Sequence, residues 1–158
     1  MRTLFFIMLL LANASIVNAQ LQIGDSIPNI TLKNQNNVAV NINQFKEKFV
    51  LIDFWASWCA PCRLGNKKLV KLYSSTNSSK IEIIGISLDT DKNKWVKAIE
   101  KDKIEFTQLI DPKGFDANTA IVFGVEELPS KFLFNENGIL IAINPTELEI
   151  INYLNEKK

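Results

Sequence analysis

The two cysteines of the chain, Cys59 and Cys62, are the residues whose type and spacing most clearly indicate chemistry. They lie three positions apart, where the apolar run Phe49–Trp55 gives way to a segment with helical spacing. The N-terminus of a helix carries partial positive charge and unpaired N–H groups, which together stabilise a thiolate. We therefore expect Cys59 to be the exposed nucleophile and Cys62 to be buried, close enough to attack a mixed disulfide on Cys59. The pattern predicts thiol–disulfide exchange.

A metal site is the main alternative for this spacing, because a C-x-x-C pair also forms half of many zinc sites. Tetrahedral zinc needs two further ligands, and the sequence contains no third cysteine and no histidine. The lack of histidine also excludes Cys–His and Ser–His nucleophile pairs. A disulfide that closes so short a loop removes little entropy from the unfolded chain, so it is a poor structural crosslink. The pair is therefore interpreted as redox-active, with no metal bound.

Asp53 is the polar residue that interrupts the apolar run, six residues before Cys59. A central strand would bury it, and burial raises the pKa of a carboxyl group towards neutrality. A carboxylate with such a pKa can serve as a general base. The alternative interpretation is a strand-end aspartate bonded to the backbone.

Three larger side chains flank the cysteine pair: Trp55, Trp58 and Arg63. Tryptophans beside such a pair are more often core or rim residues than substrate contacts. Trp58 is adjacent to Cys59, so we expect it to be the tryptophan that contacts a partner. Arg63 is expected on a solvated helix face, with no role beyond local positive potential.

The length of the chain predicts a single domain, and its charge balance does not favour binding to nucleic acid. The 158 residues are enough for one domain with a substantial core. The chain has 18 Lys and Arg against 17 Asp and Glu, and its formal net charge is +1. Such a balance gives no case for a nucleic-acid or anionic-membrane partner.

Residues 1–19 have the pattern of a secretory signal peptide. Arg2 precedes the apolar stretch 4–12, and Val17-Asn18-Ala19 resembles a small-residue cleavage site before Gln20. The apolar stretch is shorter than the roughly 20 residues that span a bilayer, so cleavage is favoured over an uncleaved membrane anchor. The mature domain, residues 20–158, is therefore expected to be secreted across the inner membrane into the periplasm.

Hydrophobic periodicity and turn residues predict an alternation of strands and helices. Their order is hairpin, strand, helix, strand, helix, strand, helix, hairpin, helix. Strands are expected at 29–33, 38–42, 49–55, 81–88, 106–110, 132–134 and 139–143. Helices are expected at 62–73, after the capping segment Asp89-Thr90-Asp91, at 116–123 and at 147–155. Asn43 is expected to cap a single turn through Phe45. Parallel β-α-β units followed by an antiparallel hairpin give a mixed sheet flanked by helices, an α/β fold.

The segment 50–63 resembles the active-site segment of the thioredoxin superfamily. Residues 24–28, the extra strand and helix between Ile81 and Ile110, and Leu128-Pro129 are similar to its secreted branch, the thiol–disulfide oxidoreductases of the TlpA/ResA type. The resemblance implies a thioredoxin-like fold with an N-terminal β-hairpin and an inserted strand–helix element. It also implies an extracytoplasmic location and dithiol–disulfide exchange without a bound cofactor.

The resemblance further assigns roles to residues around the cysteines. It places Asp53 beneath Cys62, where it would deprotonate that thiol. Pro129 resembles the cis-proline that faces the active-site disulfide in this superfamily, and with Leu128 and Trp58 it is expected to bind the substrate.

Two positions depart from the pattern of the secreted branch. Members of that branch commonly carry a glutamate three residues after the second cysteine and a proline two residues further on. This chain has Gly65 and Lys67 at those positions. The glutamate has been linked to tuning of the cysteine pair, so the redox potential does not follow from the resemblance.

The predicted function is reduction or exchange of disulfides in other extracytoplasmic proteins. Ala60-Pro61 adds no cation that would hold the thiolate, so a reductant is expected rather than a strong oxidant. No nicotinamide or flavin fingerprint is present, so electrons are expected from a membrane-linked thiol donor. The alternatives are a peroxiredoxin-like thiol peroxidase and a non-catalytic module that binds a metal or a protein. Peroxiredoxins place a threonine three residues before their cysteine, where this chain has Ala56.

Overall fold

A computed structural model describes residues 20–76 and 79–156. The predicted signal peptide, residues 1–19, lies outside the described residues. The described part contains a seven-stranded sheet, whose strands are β1 (Thr31–Asn34), β2 (Ala39–Asn41), β3 (Phe49–Trp55), β4 (Ile81–Ser87), β5 (Thr107–Ile110), β6 (Ser130–Phe134) and β7 (Leu140–Ile143). Its α-helices are α1 (Ala60–Ser75), α2 (Lys92–Asp102), α3 (Asn118–Phe123) and α4 (Glu147–Asn155).

The sheet is mixed, and its strand order is β2-β1-β5-β4-β3-β6-β7. Strands β3, β4 and β5 are parallel neighbours, because α1 and α2 carry the chain back between them. Both hairpins are antiparallel: β1 with β2 at one edge, and β6 with β7 at the other. The predicted mixed sheet with flanking helices is therefore confirmed.

Side chains alternate between the two faces of β3, and each face carries its own core. Leu51 and Trp55 lie in a first core with Cys62 and Leu69 of α1, and α2 and α4 also contribute to it. Val50, Ile52 and Phe54 lie in a second core on the opposite face, with Ala120 and Phe123 of α3. Asp53 falls in the same alternation as Leu51 and Trp55, so it lies on the face covered by α1.

Helix ends follow from local capping chemistry. Asp91 caps α2, since its side chain accepts hydrogen bonds from the backbone N–H groups of Asn93 and Lys94. Thr146 and Glu149 form a reciprocal capping box at the start of α4. Gly124 ends α3 with φ 67°, a left-handed conformation that glycine adopts without steric cost.

Most strand boundaries differ from the sequence prediction by one or two residues; β1 and β6, predicted at 29–33 and 132–134, lie at Thr31–Asn34 and Ser130–Phe134. Three further differences concern helical segments. Helix α1 is longer than expected, because Cys59 caps it and Pro61 is tolerated in its first turn, where the missing N–H would be unpaired anyway. The helix predicted at 116–123 begins two residues later, at Asn118, and a 3₁₀ turn (Gly114–Asp116) precedes it. The 3₁₀ turn Ile42–Phe45 is capped by Asn41 rather than Asn43. Within the described residues, no helix is long and apolar enough to cross a membrane.

Candidate active site

The cysteine pair forms a disulfide at the N-terminus of α1. Cys59 is the N-cap of the helix and Cys62 lies in its first turn. The backbone N–H of Cys62 donates a hydrogen bond to Cys59 Sγ at 3.2 Å. The same N–H and the positive end of the helix would stabilise a Cys59 thiolate once the disulfide is reduced. This geometry suits Cys59 as the nucleophile.

Both cysteines are buried in the oxidised protein; exposure of Cys59 was expected of the reduced thiol and stays a prediction for that state. Cys59 is 5% exposed and Cys62 is 1% exposed. The bond between the sulfurs turns Cys59 towards Cys62, and both side chains pack into the first core. Trp58, the preceding residue, is 62% exposed. A partner that approaches the disulfide therefore meets the indole ring of Trp58 at the surface.

Asp53 is buried beneath α1, as predicted, and is 2% exposed. Desolvation raises its pKa from 3.8 to about 7, although the positive charge of Lys131 lowers it in part. Lys131 is its direct cross-strand partner on β6. Its Oδ1 atom has no hydrogen-bond partner within residues 20–76 and 79–156. A carboxyl group in this state can exchange a proton near neutral pH.

Asp53 belongs to a row of residues that crosses four strands of the sheet. Its register partners are Lys131 on β6 and Gly85 on β4, and Gly85 pairs in turn with Gln108 on β5. Gln108 is 2% exposed, and its Oε1 accepts a hydrogen bond from Trp55 Nε1 at 3.0 Å. Trp55 is thereby fixed in the core rather than available to a substrate.

A second buried carboxylate, Asp89, holds the loop that carries the cysteines. Its Oδ2 accepts hydrogen bonds from the Ser57 backbone N–H at 2.8 Å and from Ser87 Oγ at 2.7 Å. Its Oδ1 accepts one from Ser57 Oγ at 2.6 Å. The loop before Cys59 is therefore tied to the end of β4.

Arg63 is not on a solvated helix face, which corrects the sequence prediction. Its Nε and Nη2 both donate to the Asp102 carboxylate on α2, the latter at 2.7 Å, and Nη1 donates to the Ser57 carbonyl at 3.2 Å. Burial alone would raise the pKa of Asp102. Hydrogen bonds from Arg63 and Asn66 and the guanidinium charge outweigh it and lower that pKa. Arg63 thus links α1 to α2 through an ion pair with Asp102.

The Leu128–Pro129 peptide bond is cis, as the resemblance predicted. Pro129 immediately precedes Ser130, which pairs with Phe54 near the end of β3 from which the cysteine loop departs. Leu128 packs against both cores. The structure therefore brings Leu128 and Pro129 to the same end of the sheet as Trp58 and the disulfide.

The two departures from the expected pattern lie on α1. Gly65 is partly exposed, and a Cβ added there would meet nothing within 4 Å. Lys67 is exposed. Neither position is therefore constrained by packing against the described part of the chain.

The chain matches a known protein family over most of its length. The model of the AhpC/TSA family matches residues 23–143. The chain belongs to the AhpC/TSA family. This family member is 25% identical over 135 residues to the thiol–disulfide oxidoreductase ResA of Bacillus subtilis, covering 84% of this chain and 74% of that protein. It is 28% identical over 127 residues to the thioredoxin-like protein YneN of the same organism, covering 78% and 72%.

Solved structures agree with this assignment. The thioredoxin domain of a thiol–disulfide oxidoreductase from Bacteroides vulgatus matches with a TM-score of 0.78 and 28% identity, covering 86% of this chain and 100% of that one. A thiol–disulfide oxidoreductase from Bacteroides fragilis matches with a TM-score of 0.75 and 29% identity, covering 84% and 98%. The fold is thioredoxin-like, and the AhpC/TSA protein described here is a thiol–disulfide oxidoreductase.

Sequence reasoning missed several residues of the site. Asp89 was expected only as a helix cap, although an aspartate directly after a buried strand is also placed to bind a neighbouring loop. Gln108 is the central residue of the strand predicted at 106–110, so its burial could have been expected from that strand. The pairing of Arg63 with Asp102 joins residues 39 positions apart, and no local pattern indicates it.

Proposed function

We propose that this oxidoreductase reduces or exchanges disulfides of other proteins outside the cytosol. The observation that carries the proposal is the Cys59–Cys62 disulfide at the N-terminus of α1, above the face of the sheet that holds Asp53. ResA and both solved structures named above are thiol–disulfide oxidoreductases, which supports exchange chemistry over metal or protein binding alone.

In the proposed reaction the Cys59 thiolate attacks a substrate disulfide and forms a mixed disulfide. One substrate sulfur leaves as a thiolate. Asp53, ionised near neutral pH, then accepts the proton of Cys62, and the Cys62 sulfur attacks Cys59. The bond between Cys59 and the substrate breaks, so the substrate leaves reduced and the enzyme is oxidised.

Docking is assigned to the surface around the disulfide. Trp58 is exposed beside Cys59, and Leu128 and Pro129 lie at the same end of the sheet. These three residues are proposed to contact an extended segment of the substrate.

The direction of electron flow is proposed to be reducing. Ala60-Pro61 contains no cation, and the guanidinium of Arg63 is held by Asp102 rather than directed at the sulfurs. Potentials of such pairs range from about −270 mV in thioredoxin to about −120 mV in the strongest oxidant, and we expect a value in the lower half. A membrane-linked thiol protein is the proposed electron donor.

Trapping of the mixed disulfide tests the exchange reaction. Cys62→Ser should accumulate disulfide-linked adducts with a model protein substrate, because the resolving thiol is missing. Cys59→Ser, the matched control, should trap none. Adducts formed by Cys59→Ser and not by Cys62→Ser would contradict the assignment. Peroxide consumption by the reduced protein at rates above thiol exchange would instead favour the thiol peroxidase alternative.

Location is tested by fractionation after expression in a Gram-negative host. The signal pattern in residues 1–19 predicts a periplasmic protein whose mass corresponds to residues 20–158. A membrane fraction that retains the full-length chain would indicate an uncleaved anchor. A cytosolic full-length chain would contradict secretion.

A further inference from the structure

The amide of Gln108 is a buried polar group that the proposed reaction does not yet use. Gln108 lies on β5 in the same row as Asp53, with Gly85 between them. Its Oε1 accepts a hydrogen bond from Trp55 Nε1. An indole N–H can only donate, so this bond identifies the oxygen end of the amide and leaves Nε2 with both its hydrogens on the other side.

The missing side chain at Gly85 leaves room for this amide in the strand between Gln108 and Asp53. A Cβ built on Gly85 would lie 2.3 Å from Gln108 Nε2 and 2.6 Å from Oε1. The Gln108 amide therefore occupies the space that a side chain at position 85 would take. Neighbouring strands lie about 4.8 Å apart, so this space adjoins the Asp53 side chain.

Two buried atoms of complementary character thus lie in one row. Asp53 Oδ1 is an acceptor and Gln108 Nε2 is a donor, and neither has a hydrogen-bond partner in the described part of the chain. Unpaired buried polar groups are uncommon in folded proteins and call for an explanation. A hydrogen-bond donor beside a carboxylate base stabilises the base when it carries its negative charge.

We propose that Gln108 is a positioning residue for the resolving step, in which its Nε2 donates a hydrogen bond, directly or through one water, to the ionised carboxylate of Asp53. This inference rests on the proposed role of Asp53. Cys62 still gives its proton to Asp53, and its sulfur still displaces the substrate from Cys59. Gln108 exchanges no proton and forms no covalent bond; its hydrogen bond favours the ionised form of Asp53 that the step requires.

The other titratable groups around Asp53 are few and can be named. Lys131 on β6 is its direct partner and lowers its pKa, and Cys62 on α1 lies over the same face. Asp102 on α2 is paired with Arg63, and neither it nor Tyr153 on α4 is among the groups that shift the pKa of Asp53. The donor on β5 acts in the same direction as Lys131, because a hydrogen bond to the charged form favours that form.

The test is the pH dependence of the resolving step in Gln108→Met, which keeps length and volume but has no N–H donor. Reduced protein is mixed with a symmetric aromatic disulfide that releases one coloured thiolate at attack and a second at resolution. We expect the rising limb of the resolution rate to move up by about one pH unit, with the plateau at high pH retained. The rate of attack should be unchanged. Loss of the plateau without a shift of the limb would mean a structural role only and would overturn the inference.

Gly85→Ala gives a second, independent perturbation, because its new Cβ displaces the amide without changing Gln108. Gly85→Ala should move the rising limb of the resolution rate to higher pH as well. If Gln108→Met does not fold, Gly85→Ala alone tests the role of Gln108. Thr107→Val is the matched control on β5; it removes a hydrogen bond to Glu82 and should leave the limb in place.

Asp53→Asn tests the proposed role of Asp53 separately from the proposed role of Gln108. Loss of the limb in Asp53→Asn, together with a shift in Gln108→Met or Gly85→Ala, supports both proposals. Loss of the limb in Asp53→Asn with no shift in the folded Gln108→Met or Gly85→Ala overturns the role of Gln108 alone. A limb that persists in Asp53→Asn overturns the role of Asp53, and the role of Gln108 with it.

Discussion

Asp53→Asn should make the oxidised protein more stable at pH 8 than the wild type, and the gain should depend on pH. Burial raises the folded-state pKa of Asp53 from 3.8 to about 7. A carboxyl group with a raised pKa stabilises the fold fully below its unfolded pKa, and this stability is lost as the pH rises towards the folded pKa. Above pH 7 the loss is complete.

The size of the effect follows from the two pKa values. The difference between 3.8 and about 7 corresponds to roughly 4 kcal/mol of destabilisation by Asp53 at pH 8. Between pH 5 and pH 8 the wild type should lose about 3 kcal/mol relative to the variant. The asparagine amide brings its own unpaired polar atoms into the site, at a cost of about 1–3 kcal/mol that does not vary with pH. The net gain at pH 8 is therefore about 1–3 kcal/mol.

Urea unfolding of both oxidised proteins from pH 4 to pH 9 measures this difference directly. Few other side chains change their charge near pH 7, because the chain has no histidine and the disulfide-bonded cysteines do not titrate. Asp116→Asn, a change at an exposed carboxylate, is the matched control and should give a curve parallel to the wild type. If the difference between Asp53→Asn and wild type were constant from pH 5 to pH 8, burial would not be raising the pKa of Asp53, and the reasoning would fail.

Three further changes test the surroundings of the disulfide. Arg63→Ala should lower the free energy of unfolding at pH 7 by about 2–3 kcal/mol in urea titrations, since it leaves buried Asp102 without a cationic partner. The loss should be smaller in acid that protonates Asp102, and an equal loss at both pH values would contradict the ion pair. Gly65→Ala should raise the free energy of unfolding by about 1 kcal/mol, because the site is open, whereas destabilisation would indicate a missed contact. Asp89→Asn should speed hydrogen exchange at the Ser57 N–H about tenfold or more; unchanged exchange would show that Asp89 does not hold the loop.

The order of the elements could be predicted because local patterns and long-range packing agree. The apolar run Phe49–Trp55 is a central strand, and its seven residues pair with β4 over their full length. Where a predicted helix boundary was wrong, a local capping interaction that the sequence pattern did not indicate set the end of the element. Cys59 caps α1 through its sulfur, which is a weaker and rarer acceptor than the oxygens that usually mark a helix start.

The candidate site could be predicted only in part, since sequence shows what is near in the chain and not what meets across the sheet. The burial of Asp53 followed from its place inside a single apolar run, and its position beneath Cys62 followed from the family resemblance. The contact between Gln108 and Trp55 spans 53 positions and depends on Gly85 having no side chain. Such a row becomes visible only when the register of three parallel strands is known.

The buried carboxylate of Asp53 is best explained by chemistry rather than by stability. Its neighbours on the same face, Leu51 and Trp55, are apolar, and an apolar residue at position 53 would stabilise the sheet. A loss of roughly 4 kcal/mol at pH 8 is a large part of the 5–15 kcal/mol that typically separates folded from unfolded domains. The loss arises only when Asp53 is ionised, and the ionised state is the one that can accept the proton of Cys62. The residue that weakens the fold is thus the same residue to which the proposed resolving step assigns the proton, as expected for a catalytic base.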